Sequence, residues 1–150
     1  MVDSRNLVVG ALTLLLSCVA FTRTAGGQEY GSVDRASIDV SIIRIIAAPE
    51  SLDRARVSVS GFLLLEGDGD LICLSKEDVE YLLLKNCLEL RFDYSALHAT
   101  REDVLKLNGK HAIVEGIVDA TDQGRYSVAS AALKGVTRVD SLEEVERPQR

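Results

Sequence analysis

Tryptophan is absent from this 150-residue chain, and aromatic residues make up only 5% of it. Sugar and nucleobase sites built on stacked rings are hard to assemble from so few. Phe62, Tyr81, Phe92, Tyr94 and Tyr126 are also scattered along the sequence. Histidine is nearly as scarce. His98 and His111 are the two present, and they form neither H-x-x-H nor H-x-x-x-H. With Cys73 and Cys87 they could supply four zinc ligands, but the paired spacings of zinc sites are missing, so no metal and no cofactor is expected. Neither G-x-S-x-G nor S-x-x-K occurs, and Ser95 near His98 has no acid fixed behind it. The chain is therefore read as non-enzymatic.

Positive charge is in deficit too. Seventeen Lys and Arg stand against 23 Asp and Glu, a net charge of -6. That balance disfavours a general nucleic-acid partner. Lys106, Lys110, Arg125, Lys134 and Arg138 all fall in the C-terminal half and could line one face. A single-stranded nucleic-acid-binding domain is thus an alternative if the chain is not exported. What the chain does have is 47% apolar residues, enough at this length for one core without staples.

The long uncharged run is Leu7 to Phe21, followed by small residues at Thr24-Ala-Gly-Gly27. Residues 1–27 read as a secretory signal cleaved after Gly26 or Gly27, too short to span a bilayer comfortably. Leu15-Leu-Ser-Cys18 also approaches the bacterial lipoprotein box, which makes Cys18 a lipidation candidate. Leu16 departs from that box, and the apolar run continues beyond the cysteine. Retention of the segment as an anchor is a third possibility. Export to the periplasm or beyond favours pairing of the remaining Cys73 and Cys87, with two buried free thiols as the alternative.

Past the signal, residues 28–36 read as a flexible lead, residues 37–140 as the folded domain and residues 141–150 as a charged, loose tail. Ile38 to Ile46 alternates and then continues as a largely apolar run through Ile46, which predicts a first strand, with a short helix as the other reading. Arg56 to Phe62 alternates with period two, and Gly61 inside it marks a bulge or sharp bend. Glu66-Gly-Asp-Gly-Asp70 turns the chain into Leu71–Leu74. Ser75-Lys-Glu-Asp78 has capping-box spacing, with Val79, Leu82 and Leu83 on one helix face and Asn86 as its end. Leu88, Leu90 and Phe92 alternate with Glu89, Arg91 and Asp93, predicting a strand with one wet face. Thr100-Arg-Glu-Asp103 opens a second helix that stops at Asn108-Gly109. Strands follow at Lys110–Ile117 and Ala129–Val139, joined by a turn with Gly124 at the position needing positive φ.

The pattern is mainly β with two short helices: an OB-type barrel of five to six strands after an N-terminal signal segment. Val57-Ser-Val-Ser-Gly-Phe, Leu74-Ser-Lys-Glu-Asp78 and Leu107-Asn-Gly-Lys-His-Ala-Ile-Val-Glu-Gly116 resemble segments of small OB-fold-like proteins exported by Gram-negative bacteria. The likeness spans roughly residues 38–140 and covers a helix cap, a turn and a strand. It implies the barrel fold and carries no catalytic residue with it.

Glu66, Asp68 and Asp70 place carboxylates at every second residue, as calcium loops do. Leu71, however, stands where such a loop needs glycine, so they form only a weak calcium candidate. The expectation is a non-catalytic cell-envelope module that contacts another envelope or secreted protein, with inhibition of a toxic effector as one version. Membrane contact would come only through a lipid anchor or an uncleaved N-terminus. A small-ligand or ion-binding periplasmic stress protein is the rival reading.

Overall fold

The computed structural model describes residues 27–33, 36–67 and 69–142. The alternation around Gly61 becomes β3 (Arg56–Glu66), the longest continuous element together with β7. Val57, Val59, Leu63 and Leu65 turn into the interior, while Ser58, Ser60, Leu64 and Glu66 face outward. The first half of β3 pairs with β6 (His111–Asp119) and the second half with β4 (Gly69–Cys73), the exchange falling at Phe62. Gly61 sits beside that corner. A Cβ there would stand 2.5 Å from the Cys73 carbonyl oxygen and 2.6 Å from Ile72 Cγ1, so the bend needs glycine.

β5 (Cys87–Phe92) pairs antiparallel with β4 and parallel with β7 (Ala131–Ser141). β7 in turn pairs antiparallel with β6. The ring β3-β4-β5-β7-β6 therefore closes on β3, a five-stranded barrel with OB-type strand order. Two further strands extend its seams. β1 (Glu29–Gly31) lies antiparallel to β7, and β2 (Ile38–Asp39) lies parallel to β3.

Among the described residues four short helices pack around the barrel: α1 (Ile42–Ala47), α2 (Lys76–Glu80), α3 (Tyr94–Leu97) and α4 (Arg101–Leu105). Ile42 and Ile45 of α1, Leu97 of α3, Val104 of α4 and Leu107 join the barrel interior in one core. A second, smaller cluster forms on the outer face of the barrel. There Leu71, Cys73, Cys87 and Ala129 pack with Leu64, Val79 and Leu84. Cys73 and Cys87 lie directly opposite one another on β4 and β5 and form a fully buried disulfide.

Several expectations are corrected here. The strand expected over Ile38–Ile46 is two residues long, because Ser41 Oγ accepts from the Ile43 N–H and caps α1. Ile42 and Ile45, one turn apart, are buried, and Ile43 is exposed: helical periodicity prevails over alternation. The flexible lead expected over 28–36 contains β1, held by the edge of β7. Among the described residues α1 and α3 stand beside the two short helices that were expected. α2 stops at Glu80, Leu82 takes positive φ (56°), and Leu82 and Leu83 are exposed. Asn86 does not end that helix; its Nδ2 donates to Asp78 Oδ1 at 2.6 Å. The expected signal segment lies outside the described residues up to residue 26, with Cys18, as do Asp68 and the expected tail from residue 143.

Both predicted capping boxes form, at Ser75/Asp78 and at Thr100/Asp103. Asp78 is nearly buried and accepts from Asn86 Nδ2, from the Ser75 N–H (2.8 Å) and from Ser75 Oγ (2.9 Å). The Asn86 bond is the largest influence holding its carboxyl below the usual range. A carboxyl depressed in the fold adds stability above the unfolded value, and that stability is lost as pH falls through the folded value. Asp78→Ala is expected to cost about 2 kcal/mol at neutral pH, because a cap and a buried network go together. Urea unfolding followed from neutral pH into the acid range should show the deficit shrinking. A constant deficit would contradict the assignment.

Candidate functional site

The loop between β6 and β7 is built by short polar side chains. Asp119 Oδ1 accepts from the N–H groups of Thr121 (2.9 Å) and Asp122 (3.1 Å) and from Thr121 Oγ1 (2.7 Å). Asp122 Oδ1 then accepts from the Gly124 N–H at 2.9 Å. Lys134 Nζ ties the base of the loop, 2.7 Å from Asp119 and 3.2 Å from Asp122. That lysine holds the Asp119 carboxyl well below its ordinary range, whereas the Gly124 N–H is the main cause of the lowered Asp122.

These bonds swing Gly124, with φ of 73°, over the outer face of β5. Beyond it, Tyr126 (φ 68°) and Ser127 (φ 53°) are consecutive non-glycine residues in the left-handed region. Strain of this kind persists only where surrounding contacts enforce it. Lys85 supplies some of those contacts, its Nζ donating to the carbonyls of Ser127 and Ala129 at 3.0 Å each.

Between this loop and the β3–β4 hairpin lies a cavity of about 390 Å³. Leu64, Leu71, Leu84 and Val128 give it apolar walls, Gly67 and Gly69 its hairpin side, and Glu66, Glu89, Arg125 and Tyr126 its polar groups. The volume falls in the range of small-molecule and side-chain pockets. In OB-type barrels the corresponding strands and loops are those that carry ligands.

Glu89 is the unusual member. Alternation in β5 places it on the expected wet face, yet it is only 2% exposed. Its neighbours on that outer face are Leu71 of β4 and Ala132 of β7, and Gly124 covers it. Arg91 Nη1 lies 3.0 Å from Oε1, but off the line of a hydrogen bond, and Oε1 has no hydrogen-bond partner. Burial is the main reason its carboxyl is pushed above the ordinary range; Arg91 opposes the shift, and Asp122 and Asp70 add to it.

A carboxyl raised in the fold makes the native state less stable as pH climbs through the folded value. Glu89→Gln, which mimics the neutral form, is accordingly expected to raise the melting temperature by a few degrees at pH 8. The gain should fade as pH is lowered toward 4, where glutamate itself becomes neutral. A loss of stability at pH 8 would mean that the Arg91 pair outweighs burial.

The other sequence candidates are dispersed. Asp70 is engaged by Arg101, at 2.9 Å, and Glu66 lines the cavity, so these two carboxylates do not converge. Among the described residues no group of three or more His, Cys, Asp or Glu is placed to hold a metal ion. His98 caps α3 with φ of 51°, and His111 packs edge-on against Phe62. Of the five basic residues proposed to line one face, Lys106, Lys134 and Arg138 pair with carboxylates: Asp103, then Asp119 and Asp122, then Glu115 and Asp140. Among the described residues no helix is long and apolar enough to cross a membrane. The cavity itself was missed from sequence, although Gly67, Gly69 and Gly124 around an outward glutamate were the available signal.

No protein-family model and no curated protein matches the chain. Among solved structures, an aspartyl-tRNA synthetase-like chain from Leishmania major Friedlin is similar at 14% identity and a TM-score of 0.44. That match covers 79% of this chain and 23% of the other. A DUF3299 family protein from Pseudomonas aeruginosa PAO1 is similar at 8% identity and a TM-score of 0.45, covering 73% of this chain and 99% of that one. The barrel assignment rests on strand order and needs neither.

Proposed function

We propose that this chain is a non-catalytic binding module of the cell envelope, contacting another protein through the groove between the β3–β4 hairpin and the β6–β7 loop. The observation that carries this reading is the apolar rim near the groove. Tyr126 is 78% exposed, and Tyr81 and Leu82, on the segment that supplies Leu84, are 73% and 74% exposed. Exposed tyrosine and leucine beside an apolar pocket are the usual composition of a protein-contact surface. The buried disulfide is in keeping with an oxidising compartment. A partner with a basic surface, such as a toxic effector held inactive, suits the acidic balance of the chain.

The test is a photo-crosslinking residue at position 126, compared with one at Arg54 just before the far end of β3, in cells of the source organism. A discrete protein adduct from position 126 and none from position 54 is the expected result. Equal labelling from both would remove the groove from consideration. Export has its own check in the intact mass of protein expressed with its native N-terminus. A mass beginning near Gln28, or at an acylated Cys18, is expected, and a full-length reduced mass would overturn the envelope assignment.

A further inference from the structure

A buried carboxylate oxygen that accepts no hydrogen bond costs stability, and such an atom beside a cavity points to a group that arrives from outside. Glu89 Oε1 is that atom: its side chain forms part of the cavity wall, and the oxygen itself is sealed from solvent with Arg91 3.0 Å away, so a group from the cavity reaches it when Arg91 turns aside. The missing group must donate, because a carboxylate only accepts when ionised. The charged groups around Glu89 are Arg91 at 3.0 Å, Arg125 lining the cavity, and Asp70 and Asp122. Asp70 is already held by Arg101 and Asp122 by Lys134. Arg91 is half-exposed and contacts Oε1 without alignment, so it is free to turn to solvent when a better donor enters.

Resting on the protein-contact reading above, we propose that the groove receives a lysine or arginine side chain of the partner. Its methylene stem lies along Leu64, Leu71, Leu84 and Val128, and its cationic head donates to Glu89 in place of Arg91. Three features agree with this. Apolar walls carry two carboxylates, Glu66 and Glu89, against one cation, Arg125, which matches an aliphatic stem ending in a positive charge. Tyr126 stands at the edge, where its ring can face a passing cation. A net charge of -6 attracts a basic surface toward the groove. A charge-assisted bond to a carboxylate is about twice as strong as a neutral one, which favours a cation over a neutral amide.

The experiment titrates the full chain with n-butylguanidinium and with n-butylurea, its neutral counterpart of the same shape, following backbone amides by NMR. Butylguanidinium is expected to move the amides of Gly69, Glu89, Gly124 and Tyr126 with a Kd on the order of 1 mM, and butylurea to bind about tenfold more weakly. Glu89→Gln keeps the shape and should abolish the preference, while Leu84→Ala should weaken both probes. Equal binding of the two probes overturns the proposal. So do shifts confined to other residues, no shifts at all, or a Glu89→Gln chain that still prefers the cation. If position 126 still yields a specific protein adduct after any of these failures, the binding-module reading stands and only the cationic occupant falls.

Discussion

Replacing Cys73 and Cys87 together by alanine is expected to lower stability by about 3 kcal/mol, the loop-closure entropy of a bridge this short. The bridge spans 14 residues, and they are the residues that form α2 and the turn carrying Leu84 and Lys85. Without it, that segment is tied down by the Asp78 network and by the Lys85 contacts to Ser127 and Ala129. The small outer cluster around Leu71 and Ala129 also loses two buried sulfur atoms, which pushes the loss in the same direction. A fall of roughly 10 °C in melting temperature follows for a domain of this size. Reduced wild-type protein should melt near the double variant, and reductant should leave the variant unchanged. A melting temperature that ignores both treatments would show that the outer layer is held by packing alone.

Gly124→Ala carries the second large effect, for two separable reasons. Its φ of 73° is strained for any residue with a Cβ, at about 1–2 kcal/mol. The new Cβ would also stand 2.4 Å from Glu89 Oε2 and 2.9 Å from its Cδ. Glu89 relieves the contact only by turning its carboxylate toward the neighbouring cavity and away from its present packing, so overpacking adds about 1–3 kcal/mol. The two parts can be pulled apart by a double-mutant cycle. In a Glu89→Ala background the contacts with Oε2 and Cδ are removed and the 3.2 Å approach to the residue-89 Cβ remains beside the backbone strain, so Gly124→Ala should cost distinctly less there. Equal costs in both backgrounds would mean that the loop lifts away from Glu89 instead of pressing on it. The cation preference of the groove would then lose its structural basis.

Alternation and capping were legible because they are local. The period-two pattern of Val57, Val59, Leu63 and Leu65 against serines needs only a strand with one buried face, and β3 forms as expected. Ser75/Asp78 and Thr100/Asp103 close capping boxes from side chains three residues apart, with little help from the rest of the fold. Gly61 and Gly124 were legible for a related reason, since each marks a backbone constraint at its own position. Ile38 to Ile46 was ambiguous because its isoleucines and valine satisfy both periods, and Ser41 together with the core settles the second half as helix.

Local pattern thus determined the barrel strands from Arg56 onward, both capping boxes and the barrel class, while the pairing of Cys73 with Cys87 was decided by the fold that sets β4 beside β5. The site depended on contacts distant in sequence. Glu89 has the alternation of a wet residue, and it is dry only because a loop 35 positions later folds Gly124 across it. Leu64, Leu84 and Val128 come from three separate segments, so the walls of the cavity exist only after the barrel has closed. Burial of a charge depends on everything packed around it, and sequence periodicity describes one element at a time.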